Sequence, residues 1–286
     1  MRQRTIGARQ VGAIGLGEMP MSIEGRPDEE QSIRTIHAAL DAGVTLIDTA
    51  DAYSLGGQDT GHGERLVAKA LASWGGDPDA VLVATKGGHV RPGDGSWQVD
   101  GRPEHLRSAA EASLRRLGVE AIGLYQFHRP DPRVPYEDSV GVLKELLEEG
   151  KARMVGISNA NNAQIDLAVS ILGEGRLASV QNQFSLSFRS SEGELEHTGK
   201  LGIAFLPWSP LGGIGNASAL AKLRPAVAEV ARAHGVSPQQ VVLAWMLAKG
   251  DHVIPIPGSS RPKTIRDSVA AAELQLSPEE LALVDG

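Results

Sequence analysis

The chain has 286 residues, of which 41% are hydrophobic and 22% charged, a globular composition rather than a disordered one. Its 28 Lys plus Arg against 35 Asp plus Glu give a formal net charge of -7, without the clustered cations of a nucleic-acid binder. The absence of cysteine excludes disulfides, thiolate metal sites and cysteine nucleophiles together.

In chain order, short runs rich in Val, Ile and Leu alternate with longer amphipathic ones. The short runs predict strands over Val11–Leu16, Thr45–Asp48, Val81–Lys86, Ile122–His128, Met154–Ser158, Ser179–Gln183, Ala204–Trp208 and Val253–Pro257. The longer ones predict helices over Asp28–Leu40, Glu64–Trp74, Pro103–Leu117, Tyr136–Glu149, Ala163–Leu172, Glu192–Lys200, Lys222–His234 and Pro262–Ala272. An extra helix, Pro238–Leu247, follows the candidate cap Ser237. Eight such units predict a (β/α)8 TIM barrel, an α/β fold, as a single domain over 1–286, with a doubly wound sheet as the rival. No signal-peptide core and no run of about 18 apolar residues occurs, so a cytoplasmic protein without a membrane span is expected.

A barrel of this kind carries its chemistry at the C-terminal ends of its strands. Those ends are polar: Asp48, Lys86, His128, Ser158, Asn159, Gln181 and Trp208. Neither a G-x-G-x-x-G fingerprint nor a Walker A sequence nor H-E-x-x-H is present. Asp48, Lys86 and His128 close three consecutive strands, and Tyr53 follows Asp48 by five residues. Each alone reads as a solvated or structural residue; four on three neighbouring strands point to an active site. A Lys ammonium beside a phenol favours the phenolate and is expected to lower the Tyr pKa, with Asp48 as the counter-charge. His128 would orient a carbonyl or share the proton. Such a set can protonate an oxygen while hydride arrives at its carbon, but spacing alone does not name the reaction.

Over nearly its whole length the sequence resembles the aldo-keto reductases. The resemblance rests on Ile14-Gly15-Leu16-Gly17, on Gly43–Tyr53 with its Asp48-Thr49-Ala50, and on Ala84-Thr85-Lys86. It continues through Leu124–Asp131, Val155–Asn159, Val180–Ser185, Ser209–Gly212 and Ile256-Pro257-Gly258. It implies a barrel that binds NADP(H) without a Rossmann fold, with NAD(H) as the alternative, and reversible reduction of an aldehyde or ketone. It implies Tyr53 as general acid, Lys86 and Asp48 as the pair that tunes it, and His128 as the substrate-orienting group. No metal site is expected.

The resemblance also carries over cofactor positions. Gly17 and Asp48 are among them, and Ser158, Asn159 and Gln181 match the residues that hold the nicotinamide carboxamide. Trp208 stands where the family often has a stacking Tyr. Ser209, Pro210 and Leu211 with the glycines of Leu211–Gly215, among them Gly213, would follow the pyrophosphate. At the adenosine end the family's usual Lys and Arg are replaced by Gly258 and Thr264; Ser260, Arg261, Asp267 and Ser268 remain, with Arg261 the candidate grip on a 2′-phosphate. The sequence ends soon after a predicted Ser277–Leu283 helix, so an open substrate pocket lined by Met19, Tyr53, Trp97 and His128 is expected. A monomer acting on a small carbonyl compound follows. The alternatives are a cofactor-binding, redox-sensing regulatory subunit with little turnover, and a metal-dependent hydrolase using Asp48 and His128.

Overall fold

The computed structural model of the protein describes residues 1–213 and 215–286. The strands are β1 (Gln3–Ile6), β2 (Arg9–Gly12), β3 (Leu16–Gly17), β4 (Leu46–Asp48), β5 (Leu82–Gly87), β6 (His89–Val90), β7 (Gln98–Val99), β8 (Leu124–Phe127), β9 (Val155–Ser158), β10 (Leu177–Gln181) and β11 (Ala204–Phe205). The helices are α1 (Glu29–Asp41), α2 (His62–Ser73), α3 (Pro103–Leu117), α4 (Tyr136–Glu148), α5 (Asn162–Leu172), α6 (Glu192–Leu201), α7 (Leu220–Leu223), α8 (Pro225–His234), α9 (Pro238–Leu247), α10 (Pro262–Ala270) and α11 (Pro278–Asp285). Seven strands pair in parallel in the order β11-β10-β9-β8-β5-β4-β3. Helices cover the outside of this curled sheet.

The predicted eighth strand, Val253–Pro257, is present as a closing stave rather than a ladder. It touches β11 through a Phe205–Val253 bridge and β3 through a Gly17–Gly258 bridge. The amides of Gly15 and Gly17 donate to the carbonyls of Pro255 and Pro257 at 2.9 and 3.0 Å. The reason is chemical: Pro255 and Pro257 have no N–H to return, so regular pairing fails while the carbonyls still accept. The seam is tight. A Cβ on Gly17 would lie 2.8 Å from the Ile256 carbonyl oxygen, so only glycine lets β3 meet the stave. The result is a TIM-barrel-like fold.

Other boundaries differ from the sequence reading for local reasons. Val11–Leu16 is split: its first half joins the hairpin β1–β2, and only Leu16–Gly17 enters the barrel. Ile6 and Val11 of that hairpin pack with Leu46, Leu82, Leu124, Leu206 and Ile254 inside the barrel, stoppering one end. The predicted Lys222–His234 helix is two helices, because Pro225 opens α8 at its first turn. The loop Gly87–Gly101 contains the antiparallel pair β6–β7. Two larger apolar layers lie between sheet and helices, one built around Phe184, Phe205 and Trp245, the other around Leu16, Ile36 and Val67. Among the described residues no helix is long and apolar enough to cross a membrane.

Candidate active site

Strand register brings the polar ends together. Gly17 pairs with Asp48, Lys86 with Gln126, and Ser158 with Gln181. Lys86, fully buried, donates from Nζ to Asp48 Oδ1 at 2.6 Å, to the Thr49 carbonyl at 2.8 Å and to the Tyr53 hydroxyl oxygen at 3.2 Å. Asp48 Oδ2 accepts from Gln181 Nε2 at 2.8 Å and Gln126 Nε2 at 3.2 Å. The carboxylate is therefore fully used, as a buried charge requires. Lys86 is held above the usual lysine pKa although burial opposes it, because Asp48 and Tyr53 face its ammonium. It remains charged.

Tyr53 differs from the sequence expectation. Its pKa is raised, not lowered: burial outweighs Lys86, and Asp48 adds to the rise. Lys86 limits that rise, with Nζ 4.8 Å from the ring centre. A lysine can only donate, so the Tyr53 proton is not consumed by it, and no acceptor for that proton occurs among the described residues. His128 stands edge-on to Tyr53 with ring centres 5.8 Å apart. Burial, with His89, Lys86 and Arg129 nearby, keeps its pKa well below the usual histidine range, so the imidazole is neutral. Its Nδ1 is buried without a partner among the described residues.

Asp48, Tyr53, His128 and Gln181 open onto one cavity of about 1040 Å³, with Lys86 and Gln126 buried behind them. Its wall includes Gly17, Asp48, Ser158, Asn159, Gln181, Trp208, Ser209, Pro210, Leu211, Gly213, Gly258, Ser260, Arg261 and Thr264 from the expected cofactor set. Met19, Tyr53, Trp97 and His128, expected at the substrate, line it too. Asn159 and Ser209, with φ of 58° and 50°, adopt the left-handed backbone that non-glycine residues avoid. Asn159 directly follows β9, Ser209 follows Trp208, and both line the cavity. Gly212, Gly213 and Gly215 take the same sign of φ; Ile214, within the Leu211–Gly215 run, lies outside the described residues.

Two expected cofactor residues are not brought to the cavity. Asp267 accepts from Ser237 Oγ at 2.6 Å and Gln240 Nε2 at 2.7 Å, tying α10 to the start of α9. Ser268, on the same helix, is buried. A carboxylate on α10 that meets the cap of the neighbouring α9 bonds there rather than in the cleft, a competition invisible in a linear motif. Conversely, the sequence reading missed Gln126, His89 and Arg129. Gln126 interrupts an apolar strand between Tyr125 and Phe127, which is a legible signal. His89 and Arg129 follow the strand-end residues Lys86 and His128 by three and one positions, and nothing local distinguished them. Glu18 was also missed. It is fully buried, accepts from Ser22 and, at 3.0 Å, from Thr49 Oγ1, and is pushed up to about 7 by burial.

The model of the aldo/keto reductase family matches residues 13–286. The chain belongs to the aldo/keto reductase family, and is an oxidoreductase. An uncharacterized oxidoreductase of Schizosaccharomyces pombe is 36% identical over 98% of this chain and 88% of its own length. A Glycine max protein named Probable aldo-keto reductase 1 is 34% identical over 95% of this chain and 84% of its own. Among solved structures, a thermostable aldo-keto reductase in complex with the inhibitor epalrestat superposes at a TM-score of 0.84, 29% identical, covering 100% of this chain and 99% of that one. A Klebsiella pneumoniae aldo/keto reductase in complex with NADP and acetate does so at 0.82, 27% identical, covering 99% and 95%. This aldo-keto reductase thus shares its barrel with solved members of the family over essentially all of its own length.

Proposed function

We propose that the protein reduces a small aldehyde or ketone to an alcohol, with NADPH as the preferred reductant and Tyr53 as the proton donor. The observation that carries this reading is the chain Asp48–Lys86–Tyr53, which ends in an unclaimed hydroxyl proton at the wall of the cavity. The cavity suits the dinucleotide: its volume is ample, and the buried indole N–H of Trp208 has no partner among the described residues. The positive-φ glycines let backbone approach phosphate closely. Arg261, exposed on the wall, has no ion pair among the described residues and suits a 2′-phosphate. Bound NADPH supplies a hydride to the carbonyl carbon.

The protein's own residues do the rest. The neutral His128 imidazole has one N–H to give, and orients the carbonyl oxygen toward Tyr53. Tyr53 passes its hydroxyl proton to that oxygen as negative charge builds there. The phenolate left behind rests against the Lys86 ammonium, whose own charge is balanced by Asp48. Trp97, 6.3 Å from the Tyr53 ring, walls the substrate side. Loss of NADPH absorbance with an activated aromatic aldehyde tests this, for wild type and Tyr53→Phe together. Turnover that falls by at least a hundredfold in Tyr53→Phe, with NADPH binding retained, supports the assignment. NADPH binding with no turnover of any aldehyde by the wild type favours the regulatory alternative.

A further inference from the structure

The cavity wall carries more positive charge than the reaction uses. Among the described residues that line it, Asp48 is the only carboxylate, against the guanidiniums of Arg129, Arg133 and Arg261. Asp48 is saturated by Lys86, Gln126 and Gln181. Arg133 is balanced by Asp131, which it grips through Nε and Nη2, both at 2.9 Å. Arg261 lies at the adenosine end. Arg129 alone remains on the substrate side.

Arg129 is exposed, and it is held by neutral acceptors only. Its Nε donates to His89 Nε2 at 3.2 Å and its Nη2 to Asn159 Oδ1 at 3.3 Å. Its Nη1 has no partner among the described residues. The His89 ring that anchors it also packs 4.3 Å from His128 and 5.5 Å from Trp97. Burial and the Arg129 charge hold His89 down at about 4, so it stays a neutral acceptor and does not repel the guanidinium. The fork is thereby fixed beside the two rings that face the reacting carbonyl, with donors left over.

We propose that Arg129 is a specificity-determining residue that receives a carboxylate carried by the carbonyl substrate. The inference rests on the reductase reading above and deepens it to a substrate class: carbonyl compounds with a flat apolar body and one carboxylate. The body lies against Trp97, and the carboxylate meets the free edge of the guanidinium, which matches a planar anion through two parallel donors. A single uncompensated cation suits a monoanion better than a phosphate dianion.

The test compares 4-formylbenzoate with its methyl ester, at the same NADPH concentration, for wild type, Arg129→Met and Arg129→Lys. The expected result is a wild-type preference for the acid in kcat/KM that falls at least tenfold in Arg129→Met and is partly restored in Arg129→Lys. General damage to the site would lower both substrates alike and leave the ratio unchanged. An unchanged ratio, or no acid preference in the wild type, overturns the proposal. Turnover of neither compound would overturn the reductase reading itself. In that event calorimetric titration of benzoate and methyl benzoate into the protein reads the same preference without catalysis. A tenfold or greater loss of benzoate affinity in Arg129→Met sustains the proposal, and equal affinity refutes it.

Discussion

Replacing Lys86 by Met separates the two tasks assigned to that ammonium. The side chain is fully buried and 3.2 Å from the Tyr53 hydroxyl oxygen. At that distance a unit charge and a developing phenolate interact by about 5 kcal/mol at an effective dielectric of about 20. Loss of that attraction predicts a fall in kcat of roughly a thousandfold or more, at about 1.4 kcal/mol per decade. The second task is structural. Asp48 loses the partner at 2.6 Å, and breaking a buried pair on one side destabilises by about 3–5 kcal/mol. The amides of Gln126 and Gln181 stay on Asp48 Oδ2, which places the loss at the lower end of that range. Single-turnover reduction with bound NADPH reads the first effect, and urea unfolding reads the second. The double variant Asp48→Asn/Lys86→Met should recover most of the stability and none of the rate. Lys86→Met with a rate within tenfold of wild type would refute the role of the ammonium, whatever the stability.

Arg261→Gln should lower kcat/KM for NADPH by roughly 10- to 100-fold, as for loss of a charged hydrogen bond, and leave NADH nearly unaffected; equal losses with both cofactors would count against a 2′-phosphate contact. Asp51 is buried, its Oδ1 has no partner among the described residues, and burial with Glu64 nearby pushes its pKa up to about 8. The folded value lies above the unfolded one, so the native state keeps a proton that the unfolded chain releases, and stability falls as pH rises from about 4 to 8. Asp51→Asn should therefore gain on wild type by about 4 kcal/mol between pH 5 and pH 8, at about 1.36 kcal/mol per unit; urea midpoints whose difference does not move with pH would dismiss this. Arg91 lies 4.3 Å over the Trp97 ring and pairs with Glu24, yet its Nε and Nη1 are buried without partners among the described residues. Arg91→Met should raise KM for aromatic aldehydes severalfold without lowering the melting temperature, because two unpaired buried donors offset one pair with a largely exposed acid; a large drop in melting temperature would contradict that balance.

Much of the barrel was legible because its strands are continuous apolar runs buried on both faces, and because prolines and glycines mark its helix ends. Pro103 opens α3, Gly118 closes it, and Ser237 accepts from the Gln240 amide at the start of α9 as its position suggested. The closing stave is the instructive exception. Val253–Pro257 has the composition of a strand, and its Ile254 and Ile256 amides donate toward β11 and its continuation, but two prolines deny it a ladder with β3, and only the chain beside it showed that carbonyls alone suffice to close that seam.

Sequence by itself determined which residues stand at the strand ends, since alternation and run length place Asp48, Lys86, His128, Ser158 and Gln181 there whatever the packing. It could not determine the balance of energies among them. Whether Tyr53 rises or falls in pKa depends on burial against a charge 3.2 Å away, and both are properties of the assembled barrel. The same holds for Asp267, which faces the helix cap of α9 and not the cleft, and for Arg129, whose freedom is defined by the carboxylates it does not meet. Local order follows from local chemistry; charge compensation is a sum over neighbours that only the tertiary structure brings within reach.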